Sequence, residues 1–123
     1  MHTTPAAVIE AFGDRLAAGD LAGALELYEP DATFAPQPGA QVTGHDAIRA
    51  ALEQFLALRP TLTGDVVKVL ETGDVALVVT RWTLNGTAPD GAAVAMAGTS
   101  ADVMRRRSDG SWRLLVDDPW GAD

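Results

Sequence analysis

The side chains of this chain best suited to chemistry are Asp102, Asp117 and Asp118. Asp102 stands in a run where strict alternation puts Met96, Gly98, Ser100, Asp102 and Met104 on one face of a strand. Ala93, Ala95, Ala97, Thr99, Ala101 and Val103 then fall on the other. If the first face is buried, a carboxyl among methionines loses its water and its pKa rises. At neutral pH it is then a protonated donor, able to polarise or protonate a substrate oxygen. With the opposite parity Asp102 meets solvent, or pairs with Arg81 or Arg106. Asp117 and Asp118 are adjacent, so a continuous strand points them to opposite faces. Asp118 shares parity with Trp112, Leu114 and Val116, which makes it the better inward carboxylate and the second acid-base partner of Asp102. Pro119 follows directly, and an early end to the strand rotates either residue or leaves both acids capping a surface turn.

Composition narrows what those acids can work with. The sequence has 123 residues, no cysteine, and only His2 and His45 as imidazoles, which excludes disulfides and thiolate sites and argues against a metal; no cofactor is expected. A net charge of -8 argues against nucleic acid, because phosphate recognition needs a basic surface. The one basic cluster, Arg105-Arg106-Arg107, cannot share a single strand face and reads as a solvated strand end. There is no apolar run of membrane-spanning length and no basic-then-apolar leader, so a cytoplasmic protein without membrane attachment is the expectation. His45 reads as an exposed residue beside a helix cap and is given no chemistry.

The positioning elements follow from periodicity. Thr4-Pro5 starts a helix over about residues 4–18, with Val8, Ile9, Phe12 and Leu16 on its apolar face. Asp20 caps a short second helix in which Leu21, Ala24, Leu25 and Tyr28 share a face until Pro30. A short strand at about 32–35 and a loop precede a third helix carrying Ile48, Leu52, Phe55 and Leu56, which ends at Arg59-Pro60. Turn signals at Thr72-Gly73, Asn85-Gly86, Pro89-Asp90-Gly91 and Asp109-Gly110 then divide four strands, at about 62–71, 74–84, 92–106 and 111–118. Short turns imply an antiparallel meander, and helices followed by a meander imply a single α+β domain over residues 1–123. Gly98 is the expected site of a bulge that lets the sheet curl. A curled sheet closed by helices leaves a small apolar pocket, lined by Phe12, Tyr28, Phe34, Phe55 and Trp82, with Met96, Met104 and Asp117 as further contacts. Trp120, stranded after Pro119, folds over its mouth as a lid.

The stretch GDLAGALELYEPDATFAPQPGAQVTGHDAIRAALEQFL resembles the first half of the ketosteroid isomerase and polyketide cyclase group, the SnoaL-like proteins of the nuclear transport factor 2-like superfamily. DVMRRRSDGSWRLLVDDPWG resembles the last hairpin. The resemblance implies a cone-shaped curved antiparallel sheet wrapped around three N-terminal helices, the cystatin-like α+β roll, with the Asp102 face toward the pocket. It also implies where steroid isomerase chemistry would sit: the first-helix tyrosine falls at Phe12, and the general base falls near Ala35-Pro36-Gln37, where there is no carboxylate. Asp102 alone survives, so standard steroid isomerase activity is not implied. Polyketide cyclases draw an acid-base aspartate from late in the sheet, in keeping with Asp117 or Asp118. Arg81, Asp102 and Asp118 supply the residue types of the limonene epoxide hydrolases, but on different strands. The expected function is binding of a small apolar molecule, with acid-base isomerase, cyclase or hydrolase chemistry on a carbonyl or ring. The alternative is a non-catalytic dimeric module for a hydrophobic ligand or partner. In both, the flat alanine-rich face pairs with a second copy of the chain.

Overall fold

The computed structural model describes residues 2–123, in the order α1 (Pro5–Ala17), α2 (Leu21–Leu25), β1 (Tyr28–Phe34), β2 (Val42–Thr43), α3 (His45–Leu56), β3 (Thr61–Thr72), β4 (Val75–Thr87), β5 (Ala93–Arg106) and β6 (Trp112–Asp118). The Thr4 hydroxyl accepts from the Ala7 N–H at 3.2 Å, so α1 starts where its cap and Pro5 place it. Asp20 caps α2 in the same way, accepting from the Gly23 N–H at 2.9 Å. Tyr28 departs from the helical reading: α2 stops at Leu25, and Tyr28 opens β1. Pro30 is the reason, since it bars Glu29 from the helical region and turns the chain to extended structure. The helix α3 likewise closes at Leu56, earlier than its proline. Leu58 and Arg59 N–H groups bond back to Phe55 and Leu56, and Arg59 adopts a φ of 49° directly before Pro60.

The six strands form one curved sheet in the order β2-β1-β6-β5-β4-β3. The three hairpins from β3 to β6 are antiparallel as the turns require. The sheet as a whole is not, because β1 runs parallel to β6, pairing Tyr28 with Leu114 and Phe34 with Asp117. Helices cover one side of the sheet, where Val8, Ile48 and Leu52 meet Tyr28, Val78, Met104 and Leu114 in a common core. Each such side chain contributes about 1.5–3 kcal/mol on burial. Among the described residues no helix is long and apolar enough to cross a membrane.

Glycines read as turn or bulge signals serve close approach instead. Asn85-Gly86 lies inside β4 and makes no turn; the chain reverses at Pro89-Asp90-Gly91. The Thr87 N–H donates to the Leu58 carbonyl at 2.7 Å, and a Cβ on Gly86 would sit 2.6 Å from that same oxygen. Gly98 makes no bulge either, since β4 and β5 stay in register through the Trp82–Gly98 pair. Its missing Cβ leaves room for Trp82 and Trp120, each 2.9 Å from where that atom would be. The register shifts lie elsewhere: Val67 is the extra residue in β3 and Leu115 in β6.

The Gly86 contact gives a direct test of the seam between the α3–β3 connection and β4. Gly86→Ala forces a methyl against a backbone carbonyl, and the expected cost is about 1–3 kcal/mol in urea denaturation with the slope unchanged.

Candidate functional site

The extra residue in β6 decides which acids face inward. Trp112 and Leu114 point into the core, then Leu115 is skipped in the pairing, so Val116 turns out toward solvent and Asp117 turns in. Asp117 is 8% exposed and stands directly across from Asp102, which is 3% exposed. The expected inward parity of β5 holds: Ser100, Asp102 and Met104 are buried. The expectation for Asp118 does not, because the bulge reverses the alternation. Asp118 lies half-buried on the other side, its carboxyl against Gly121 and Ala101, and it serves the site only through its backbone N–H.

That N–H donates to Asp102 Oδ1 at 3.0 Å, and the Ser100 hydroxyl donates to Asp102 Oδ2 at 3.2 Å. The Tyr28 hydroxyl donates to Asp117 Oδ2 at 2.5 Å. The two carboxyls also hydrogen-bond to each other. Opposed carboxyls this close cannot both ionise in a dry interior. Burial, then the Asp117 charge, push Asp102 well above the ordinary carboxylate range, against the lowering effect of Asp118 N–H and Ser100. Burial also raises Asp117, but hydrogen bonds from Tyr28 and Asp102 oppose it. Both carboxyls are thus raised, and as a pair they keep a proton to higher pH than either acid does in water. Tyr28, wholly buried and beside that charge, is held well above its usual value and stays a donor.

Asp102 and Asp117 lie on the wall of a cavity of about 480 Å³. Ile9, Phe12 and Gly13 of α1 and Leu52 and Phe55 of α3 form one side; Phe34, Leu62, Thr80, Leu84 and Leu114 of the sheet form the other. Glu10, Asp14 and Thr63 are exposed at its rim. Trp82 and Trp120 meet edge to face, centroids 5.5 Å apart, and the Trp82 indole N–H donates to the Pro119 carbonyl at 2.6 Å. The tail is tied to β5 beyond this point, with Ala122 N–H on the Thr99 carbonyl at 3.0 Å and Thr99 N–H on Asp123 Oδ1 at 2.7 Å.

Of the residues singled out in the sequence, the cavity brings together Phe12, Phe34, Phe55, Trp82, Asp102, Asp117 and Trp120. Tyr28, Met96, Met104 and Asp118 do not line it. Tyr28 packs between Phe12 and Phe34 in the core and reaches the site only through its hydroxyl on Asp117. Met104 is fully buried in the core. Met96 lies beyond Gly98, on the far side of the tryptophan pair, opposite Leu84. Arg81 sits on the exposed side opposite Thr99 and does not meet Asp102, while Arg106 pairs with Asp74 at 2.9 Å and stacks on Trp112. His45 is half-buried, not exposed, with Nε2 3.0 Å from the Tyr28 carbonyl. Thr80 went unremarked in the sequence, although it shares parity with Val78 and Trp82 on the inner face of β4. Among the described residues no group of His, Cys, Asp and Glu converges as a metal site requires.

Both carboxyls are raised in the fold, so between the ordinary carboxylate range and the folded values the native state holds a proton that the unfolded chain has lost. Stability is then greatest at low pH, as far as this pair is concerned, and falls as pH rises through that window. Asp102→Asn keeps a donor to Asp117 and cannot ionise. The expected result is a smaller acid-to-neutral decline in stability and a higher Tm than wild type at neutral pH, read by thermal unfolding across pH.

The comparisons with known proteins agree with this architecture. A ketosteroid isomerase-like protein from Erwinia carotovora atroseptica superposes with a TM-score of 0.80 at 18% identity, over 91% of this chain and 88% of that one. A scytalone dehydratase-like protein from Novosphingobium aromaticivorans gives 0.80 at 15% identity, over 89% and 76%. An NTF2-like protein with a cystatin-like fold from the same organism gives 0.74 at 22% identity, over 89% and 74%. At these identities the likeness is one of fold. No curated protein matches the chain. The family model of the SnoaL-like domain matches residues 9–115, and the chain belongs to that family.

Proposed function

We propose that the cavity binds a small apolar molecule and that the Asp102–Asp117 pair performs acid-base chemistry on a carbonyl or ring within it. The observation that carries this reading is a pair of buried carboxyls standing opposite each other on the wall of an otherwise apolar cavity. Such a pair holds an acid and a base side by side at neutral pH. Asp117 takes the proton from a carbon next to a carbonyl, and Asp102 gives its own to the carbonyl oxygen, forming the enol. Asp117 then returns a proton, exchanged with solvent, to the same or a conjugated carbon, while the Asp102 carboxylate recovers the enol hydroxyl proton, and the product is an exchanged substrate or an isomer. Tyr28 holds Asp117 in place and stabilises its charge through the 2.5 Å hydrogen bond. The described residues around the cavity include Glu10, Asp14, Asp102 and Asp117 and no Lys, Arg or His, a charge distribution that disfavours anionic ligands.

α-Tetralone, an apolar bicyclic ketone, is a suitable probe. In heavy water the protein is expected to speed deuterium entry beside the carbonyl, and Asp117→Asn to lower that rate by about a hundredfold. A probe that quenches Trp82 and Trp120 fluorescence on binding yet exchanges no faster than in buffer alone rules out the catalytic reading and leaves ligand binding.

A second copy of the chain is the proposed partner. Leu70, Leu77, Val103 and Val116 are cross-strand neighbours in one row over four strands of the outer sheet face. Leu70 is 59% exposed, an apolar strip that water solvates poorly. A dimer is expected in sedimentation, with Leu77→Glu shifting it to monomer; a wild-type monomer at high concentration removes the proposal.

A further inference from the structure

Thr80 lines the cavity and, among the described residues, carries a buried side-chain oxygen that has no hydrogen-bond partner. It lies on the inner face of β4, opposite Ser100, and its side chain is 3% exposed overall. Among the described residues its hydroxyl is the buried side-chain oxygen or nitrogen that bonds to nothing in the protein. The neighbouring Ser100 does not serve it: the Ser100 hydroxyl lies 3.3 Å from the Thr80 carbonyl and 3.2 Å from Asp102 Oδ2, and no bond joins it to the Thr80 hydroxyl. The flanking inward residues on the same strand are Val78 and Trp82. Valine at position 80 would keep the branched shape and bury no polar group, whereas the hydroxyl carries a desolvation cost that no bond within the protein offsets. Thr80 lines the cavity, and rotation about its Cα–Cβ bond would bring the closed-off, unpartnered hydroxyl to a ligand atom.

The sheet sets its distance from the acids. Ser100 and Asp102 are two residues apart on β5, so the Thr80–Ser100 row lies about 7 Å along the strands from the Val78–Asp102 row. Both rows share the inner face, and the surfaces around them are apolar.

We propose that the Thr80 hydroxyl is a ligand-binding group, and that the ligand is an uncharged apolar molecule with two oxygen functions, one at the Asp102–Asp117 pair and one at Thr80. This deepens the acid-base reading and rests on it. The second anchor fixes which carbon of the substrate is presented to Asp117, which makes Thr80 a determinant of specificity.

The test is a cycle of protein and probe, with wild type, Thr80→Val and Thr80→Ser against α-tetralone and its ring-hydroxylated isomers, followed by tryptophan fluorescence and calorimetry. Wild type is expected to bind at least one hydroxylated isomer about fivefold tighter than α-tetralone itself. That preference disappears in Thr80→Val and returns in Thr80→Ser. Thr80→Val without ligand is expected to melt higher than wild type, because it removes an unsatisfied buried hydroxyl. A preference that survives Thr80→Val, the absence of any preference in wild type, or a lowered Tm in Thr80→Val overturns the proposal while the acid-base reading stands. If neither α-tetralone nor its isomers bind at millimolar concentration, both fall together.

Discussion

One inserted residue, Leu115, sets the polarity of the interior. Without it the alternation of β6 would carry Trp112, Leu114, Val116 and Asp118 inward, closing the sheet with an apolar side chain where Asp117 now stands. With it, the strand delivers Leu114 and then Asp117 to the same side, and Asp117 meets Asp102 across the β5–β6 ladder. Val116 is displaced to the outer face and joins Leu77 and Val103 there. The same bulge thus creates both features that a reading of function can use, the inward acid pair and the outward apolar row. Bulges re-aim side chains in this way at sites where regular pairing would bury the wrong group.

Placing two carboxyls together in a core is costly, and the surrounding hydrogen bonds show how the fold contains that cost. Asp102 receives Asp118 N–H and Ser100, Asp117 receives Tyr28, and the shared proton removes one of the two charges. Among the described residues no salt bridge joins an arginine or lysine to either acid, and Arg106 and Arg107 pair with Asp74 and Glu29 at the end of the sheet. An arginine between the two acids would have favoured the ionised form of both.

Much of this fold is written in local signals. Thr4-Pro5 and Asp20 define the starts of α1 and α2 by hydrogen bonds that the sequence announces. The hairpin turns at Thr72-Gly73 and Asp109-Gly110 fix the β3–β4 and β5–β6 pairings. The misreadings share a physical cause, which is that each depended on a distant partner. Asn85-Gly86 looks like a turn until Leu58 approaches it, and Gly98 looks like a bulge until two indoles fill its space. Tyr28 has helical spacing from Leu21 and Leu25, yet Pro30 two residues later sends it into a strand alongside β6. Asp102 was legible because β5 is regular; Asp117 was named as a pocket contact, but its turn inward in place of Asp118 was not read, because a bulge leaves no mark in the run Leu114-Leu115-Val116. Thr80 was legible in parity alone, and its lack of a partner exists only in three dimensions.

The tryptophan pair connects the acid pair to the chain end. Gly98 permits Trp82 and Trp120 to meet, the Trp82 N–H holds the Pro119 carbonyl, and Ala122 and Asp123 then bond to Thr99 on the same strand as Asp102. Asp118 N–H, the donor that orients Asp102, is the last link before this turn. Its position is therefore set from both sides, by β6 pairing before it and by the docked tail after it. A residue that supplies only a backbone group to the site is thus held by the turn that also carries Trp120 to the cavity wall.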